Sequence, residues 1–223
     1  MSASEAAYRL DVRLPSGWTA WSRMNGPSGS TGRDEHIGPS GLDGVAPGSS
    51  MFAWVGDPPG RAAIAFATVD LVPRPAPLRS APAAQAARAV LDELSDASRW
   101  RPADPALSVL RRQVLACSLE GACVPAREGA APAAEPAAAG ERDPAVLVDE
   151  WIAVGDGERR LVEHRVVLLR FPRAASGAGS DAVPGEPPWA LRVSAVTKQL
   201  LTDPPLVAAA RAIAAATRIE VVP

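Results

Sequence analysis

Lysine is nearly missing from this chain. Lys198 is the only one, which leaves 22 of the 23 basic residues as arginine. Cysteine and histidine occur twice each, tyrosine once, and aromatic residues make up 4% of the sequence. No stretch of 18 apolar residues exists, so an ordinary membrane-spanning helix is excluded. The net charge is −2 and the isoelectric point is about 5.8. Without an excess of clustered positive charge, neither nucleic acid nor an anionic membrane surface is an expected partner.

The scarcity of cysteine narrows the chemistry further. Cys117 and Cys123 supply two thiolates where a structural zinc site wants four ligands, and His36 and His164 are remote from them in sequence. No metal or cofactor is therefore expected. Met1 to Arg9 shows no basic segment leading into an apolar run, and no cysteine for lipid attachment lies near it. The expected location is the cytoplasm, where the two cysteines would be free thiols. The paucity of lysine, with abundant alanine and arginine, reads as the coding bias of a GC-rich bacterial genome.

What is present is a globular composition: 223 residues, 47% hydrophobic and 22% charged. The 23 prolines and 18 glycines concentrate in three stretches. Residues 22–50, 120–144 and 172–188 read as flexible insertions into a single domain, 1–223. The strands on either side of residues 123–144 would each make a thin sheet alone, which favours one shared sheet.

Apolar periodicity places the elements. Tyr8, Leu10, Val12 and Leu14 alternate with Arg9, Asp11 and Arg13, a strand with one wet face. Pro15-Ser16-Gly17 ends it. Strands are expected near 52–55 and 62–71, the second with a small-residue face of Ala63, Ala65 and Ala67 that a helix can approach. Ala83, Ala86, Ala87, Val90, Leu91 and Leu94 recur at helical spacing, with Ser80 as the expected N-cap. Residues 105–119 place Leu107, Leu110, Val114 and Cys117 on one helical stripe; the alternative is a strand over 113–119. Val146 to Val196 holds three antiparallel strands, the middle of the sheet. Val166 to Leu169 is apolar on both faces and so covered on both sides. Gly155-Asp156-Gly157 is the expected turn between the first two strands. Thr202 or Asp203 opens a last helix with Leu206, Val207, Ala210 and Ile213 on its apolar side, and residues 219–222 form a final strand.

Candidate chemistry centres on His164, flanked by Glu163 and Arg165, with Glu150 expected across the hairpin as an orienting carboxylate. No nucleophile elbow accompanies it, so a solvated strand histidine is the expectation and a general base the alternative. Asp149 and Glu150 point to opposite faces and cannot act as a paired-carboxylate site. Trp18 and Trp21 follow the first strand, where aromatics cap a core or bind a partner. The candidate binding set is Glu150, Trp151, Glu163, His164, Arg165, Trp18 and Trp21; no catalytic residue is assigned.

The opening Leu14-Pro15-Ser16-Gly17-Trp18, after a first strand, resembles the strand, proline and Gly-Trp opening of the PsbP-like superfamily. The close, from Glu158 to Val222, is similar in its long hairpin strands, apolar-striped helix and last strand. That superfamily includes LpqN-type lipoproteins and small secretion chaperones. The resemblance implies an antiparallel sheet flanked by helices, an α+β sandwich, working by binding proteins or small ligands. The chain departs from the lipoproteins in lacking a leader and lipidation cysteine, and from the chaperones in its long insertions. Composition and resemblance together lead us to expect a non-enzymatic protein-binding module, an adaptor or secretion-associated chaperone. The alternatives are a hydrolase using His164 as base and a structural subunit that self-associates.

Overall fold

The computed structural model describes residues 7–20, 50–54, 64–96, 107–119, 123–125, 143–154, 161–173, 187–198 and 205–222. The fold is β-rich α+β: ten strands and two α-helices among the described residues, with every strand pair antiparallel. The strands are β1 (Ala7–Asp11), β2 (Trp18–Ala20), β3 (Ser50–Trp54), β4 (Ala65–Pro73), β5 (Leu107–Ser118), β6 (Val124–Pro125), β7 (Pro144–Val154), β8 (Leu161–Arg170), β9 (Trp189–Thr197) and β10 (Arg218–Val222). The helices are α1 (Ala83–Ser95) and α2 (Leu206–Ala216).

Eight strands form one sheet in the order β2-β3-β4-β9-β8-β7-β5-β6, and β1 pairs with β10 in a separate ribbon. Strands from both sides of the expected insertion 120–144 therefore share the sheet, with β4 beside β9 and β5 beside β7. The three strands read as the sheet's middle, β7 to β9, do lie at its centre. The expected insertions lie mostly outside the described residues.

Alternation explains the two cores. Leu147, Val166, Leu168, Leu191 and Val193 cluster with Leu206, Ala210 and Ile213 of α2, and Leu10, Val12, Leu14 and Ile219 pack against the same group. The small residues Ala65, Ala67 and Ala195 belong to this cluster too. Val146, the neighbour of Leu147 and so turned the other way, clusters with Ala83, Ala86, Ala87, Val90 and Leu91 of α1.

Neither helix carries a basic residue in its last turn or a side-chain N-cap. Ser80 does not cap α1; Pro82 does, with the Ala86 N–H donating to its carbonyl at 2.9 Å. Proline fits there because the first-turn N–H groups have no helical partner to lose. Pro205 plays that part for α2, and the expected caps Thr202 and Asp203 lie outside the described residues. The C-terminal carbonyls are met by arginines from the sheet. Arg112 Nη1 donates to the Leu94 carbonyl at 2.6 Å. Arg170 Nη1 donates to those of Ala214 (2.7 Å) and Thr217 (3.0 Å). A fixed cation satisfies orphan carbonyls and complements the negative helix end.

The first strand is shorter than expected, ending at Asp11, and the Pro15 to Trp18 segment is a tight turn. The Trp18 N–H donates to the Pro15 carbonyl at 3.2 Å, and Gly17 has φ 82°. Only glycine takes that conformation cheaply at the third position of such a turn. The turn delivers Trp18 to β2, where it is 8% exposed and part of the core.

Two further expectations are overturned. Residues 107–118 are strand β5, not a helix. Its ladder with β7 shifts register between Val109 and Arg111, and the extra residue of that bulge turns a period of two into an apparent spacing of three and four. The supposed single stripe is divided, since Val114 packs with α1's cluster and Cys117 with α2's. The cysteines are not free thiols. Cys117 and Cys123 form a disulfide, their Cα atoms 4.3 Å apart. The end of a strand and the start of its return strand meet within disulfide reach. The earlier expectation rested on compartment and not on geometry.

Candidate functional site

The site grows from the β7–β8 register. Val154 pairs with Leu161, Trp151 with His164, Glu150 with Arg165, and Asp149 with Val166. Directly opposed residues share a face, so the candidate residues divide between two faces of the sheet. Trp151 and His164 lie on the Leu147 side; Glu150, Glu163 and Arg165 lie on the Val146 side.

On the Leu147 side, His164 Nε2 lies 2.8 Å from Asp149 Oδ1. The Trp151 ring stacks on the imidazole with centroids 4.4 Å apart and planes 13° apart. His164 is 6% exposed, so it is a buried histidine and not the solvated one expected. The orienting carboxylate is Asp149, not Glu150. Asp149 stands two residues before Trp151 and so points the same way, diagonal to His164, within reach of a long side chain. Across β9, Thr197 pairs with His164, and its hydroxyl donates to the Ile64 carbonyl at 2.6 Å. Trp18 joins the same row through Trp54, Ala65 and Thr197, on the core side. Trp21 lies outside the described residues.

On the Val146 side the groups are ion pairs. Glu163 is fully buried. Its Oε2 accepts from Arg165 Nε at 3.0 Å and Nη2 at 2.6 Å, and its Oε1 lies 3.2 Å from Lys198 Nζ. Burial pushes its carboxyl pKa up, but the hydrogen bonds and charges of Arg165 and Lys198 outweigh this and hold it below the usual carboxylate value. Arg112 Nε donates to Glu150 Oε1 at 2.7 Å, so the arginine that caps α1 also neutralises Glu150. Farther along this face Arg192 pairs with Asp70, Nε to Oδ1 at 2.9 Å. That bond raises the guanidinium pKa, against burial.

The chemistry open to these groups is limited by how many are already committed. The Val146-side carboxylates face cations, which suits structure and charge recognition more than proton transfer. The His164–Asp149 pair has the form of an oriented base. Among the described residues, no group of three His, Cys, Asp or Glu side chains is placed to hold a metal ion. Asp149, Arg112 and Lys198 belong to the site but were absent from the sequence-based set. The signal for Asp149 was the strand period, which puts it on Trp151's face. Arg112 had no usable signal while residues 105–119 read as a helix.

The chain matches no protein-family model, no curated protein and no solved structure.

Proposed function

We propose that this chain is a non-enzymatic protein-binding module, an adaptor or secretion-associated chaperone of the cytoplasm. In this reading its sheet is sandwiched between helices in the manner of the PsbP-like superfamily. The observation that carries it is a pair of exposed leucines at the hairpin end of the central strands. Leu110 on β5 is 57% exposed and Leu161 on β8 is 61% exposed. Val154 of β7 pairs with Leu161 on one side and with Leu107 on the other, which puts both leucines at one end of the sheet. Large apolar side chains left in water gain nothing for folding, and burial against a partner stabilises a complex. The neighbouring polar groups are tied to one another, which holds such a surface in shape before binding. In the cytoplasm the Cys117–Cys123 bridge would be a transient link and not a permanent staple.

The test uses the immobilised full chain and a Leu110→Asp, Leu161→Asp variant with an unchanged far-ultraviolet spectrum. A partner retained by the wild type and lost by the variant is the expected result. A partner held equally by both removes the leucines from the argument, and sedimentation of the wild type distinguishes a second copy of the chain from a foreign partner. A second reading, a hydrolase with His164 as base, is supported by the Asp149 contact at 2.8 Å. A His164→Ala variant that keeps whatever activity the protein has ends that reading.

A further inference from the structure

We propose that the Cys117–Cys123 bridge is a thiol-responsive latch that sets how much of the outer edge of β5 is open. This goes beyond the binding reading and does not depend on it. One side of β5 pairs with β7 from Leu107 to Ser118. On the other side β6 covers only Leu115 and Ala116, and among the described residues no further strand pairs there. A ladder of two residues does not persist on its own strength. The bridge joins the end of β5 to Cys123, the residue just before β6. It is therefore the bond that keeps β6 on the edge.

The two sides of this connection are anchored unequally. Cys117 is 7% exposed and belongs to the core. The residues after it are tied to α2, because Arg211 Nη2 donates to the carbonyls of Ser118 (3.2 Å) and Leu119 (3.4 Å). Cys123 is only half-buried, at the margin of the same core. Opening the bridge leaves β5 in place and lets β6 go. The bridge closes a short loop, and short loops contribute least to global stability, so the sheet survives the opening.

The reductant is a dithiol. Its thiolate attacks Sγ of Cys123, the more accessible sulfur; the Sγ–Sγ bond breaks and its electron pair leaves on Cys117, which takes up a proton. The second thiol of the reductant then closes the reductant's own disulfide and releases Cys123 as a thiol. The protein gains two electrons and two protons, and the dithiol becomes a disulfide. The product presents the outer edge of β5 from Leu107 to Ser118 without β6, the kind of edge to which another strand adds.

The test is amide hydrogen exchange on the full chain, oxidised and after treatment with dithiothreitol. Of Leu115 and Ala116, the one amide that points towards β6 is expected to exchange about tenfold faster after reduction, while the amides paired with β7, and those of β7 and β8, keep their protection. Unchanged protection at both Leu115 and Ala116 overturns the latch, and so does acceleration throughout the sheet, which would make the bridge a global staple. Two thiols that still react with iodoacetamide after mild oxidation overturn it as well. Cys123→Ser is expected to show the reduced pattern without dithiothreitol and to ignore its addition. If that variant does not fold, the wild-type exchange experiment decides alone.

Discussion

Strand β7 buries every side chain from Ala145 to Val148, then none completely from Asp149 to Trp151. Its neighbour β8 changes in the character of what it buries. Val166 and Leu168 are buried apolar residues, while Glu163 and His164 are buried polar ones. The same three-strand meander is thus held in two ways. The inner half rests on apolar contact with α1 on one face and α2 on the other. The outer half also buries Ile152 and Ala153, but it is set apart by its polar pairs: His164 with Asp149 on one face, Glu163 with Arg165 and Lys198 on the other. Apolar packing is non-directional and follows the area removed from water. Polar pairs must be made in full, because a buried group left alone costs its whole desolvation. The polar pairs are therefore more specific in geometry and weaker in net stabilisation.

Four variants break or sharpen that contrast in order of size. Leu168→Ala, at a fully buried position, should lose about 3 kcal/mol in urea unfolding at neutral pH. Glu163→Ala leaves Arg165 and Lys198 facing an empty site; because both are about a quarter exposed, water relieves part of the penalty, and a loss of about 2 kcal/mol is expected. A loss from Glu163→Ala equal to that of Leu168→Ala would mean that the two halves are held equally firmly. His164→Ala, which removes the hydrogen bond to Asp149 and the stack on Trp151, should cost about 1 kcal/mol. Arg88→Ala, a control in an exposed i,i+4 pair with Asp92, should change stability by only about 0.3 kcal/mol.

Acid separates the halves in another way. The carboxyl of Glu163 titrates below its ordinary value of 4.5 in the folded chain. A depressed folded pKa means that the unfolded chain takes up the proton first as pH falls. The stabilisation from this group is complete above about pH 4.5 and lost as pH drops through the lower folded value. Wild type and Glu163→Gln should therefore differ most near neutral pH and converge in acid. A difference that stays constant from pH 7 down to pH 3 would place the charge outside the folding equilibrium.

Much of the inner half was legible in the sequence. The apolar run Val166 to Leu169 demanded cover on both faces, and the helical spacing of Ala83 to Leu94 announced α1. The outer half was legible only as a list of residues. Asp149 and Glu150 were known to point apart, yet the choice between them as His164's partner depends on register. The register that sets Trp151 opposite His164 and brings Asp149 within reach is fixed by the whole β7–β8 ladder, and the expected turn at Gly155-Asp156-Gly157 lies outside the described residues. Residues 107–118 misled for a related reason, since a bulge imitates helical spacing when only the spacing is seen.

The sequence by itself determined which segments are apolar and how their side chains alternate, so that Asp149 and Glu150 point to opposite faces. Those follow from chemistry within a few residues. Only the tertiary structure decided which partners the polar side chains found. Pairing β8 with β7 and β9 brought Asp149 to His164 and Lys198 to Glu163. The return of β6 brought Cys123 to Cys117. Each of these joins residues that no local pattern relates, because strand register is set by the packing of whole faces.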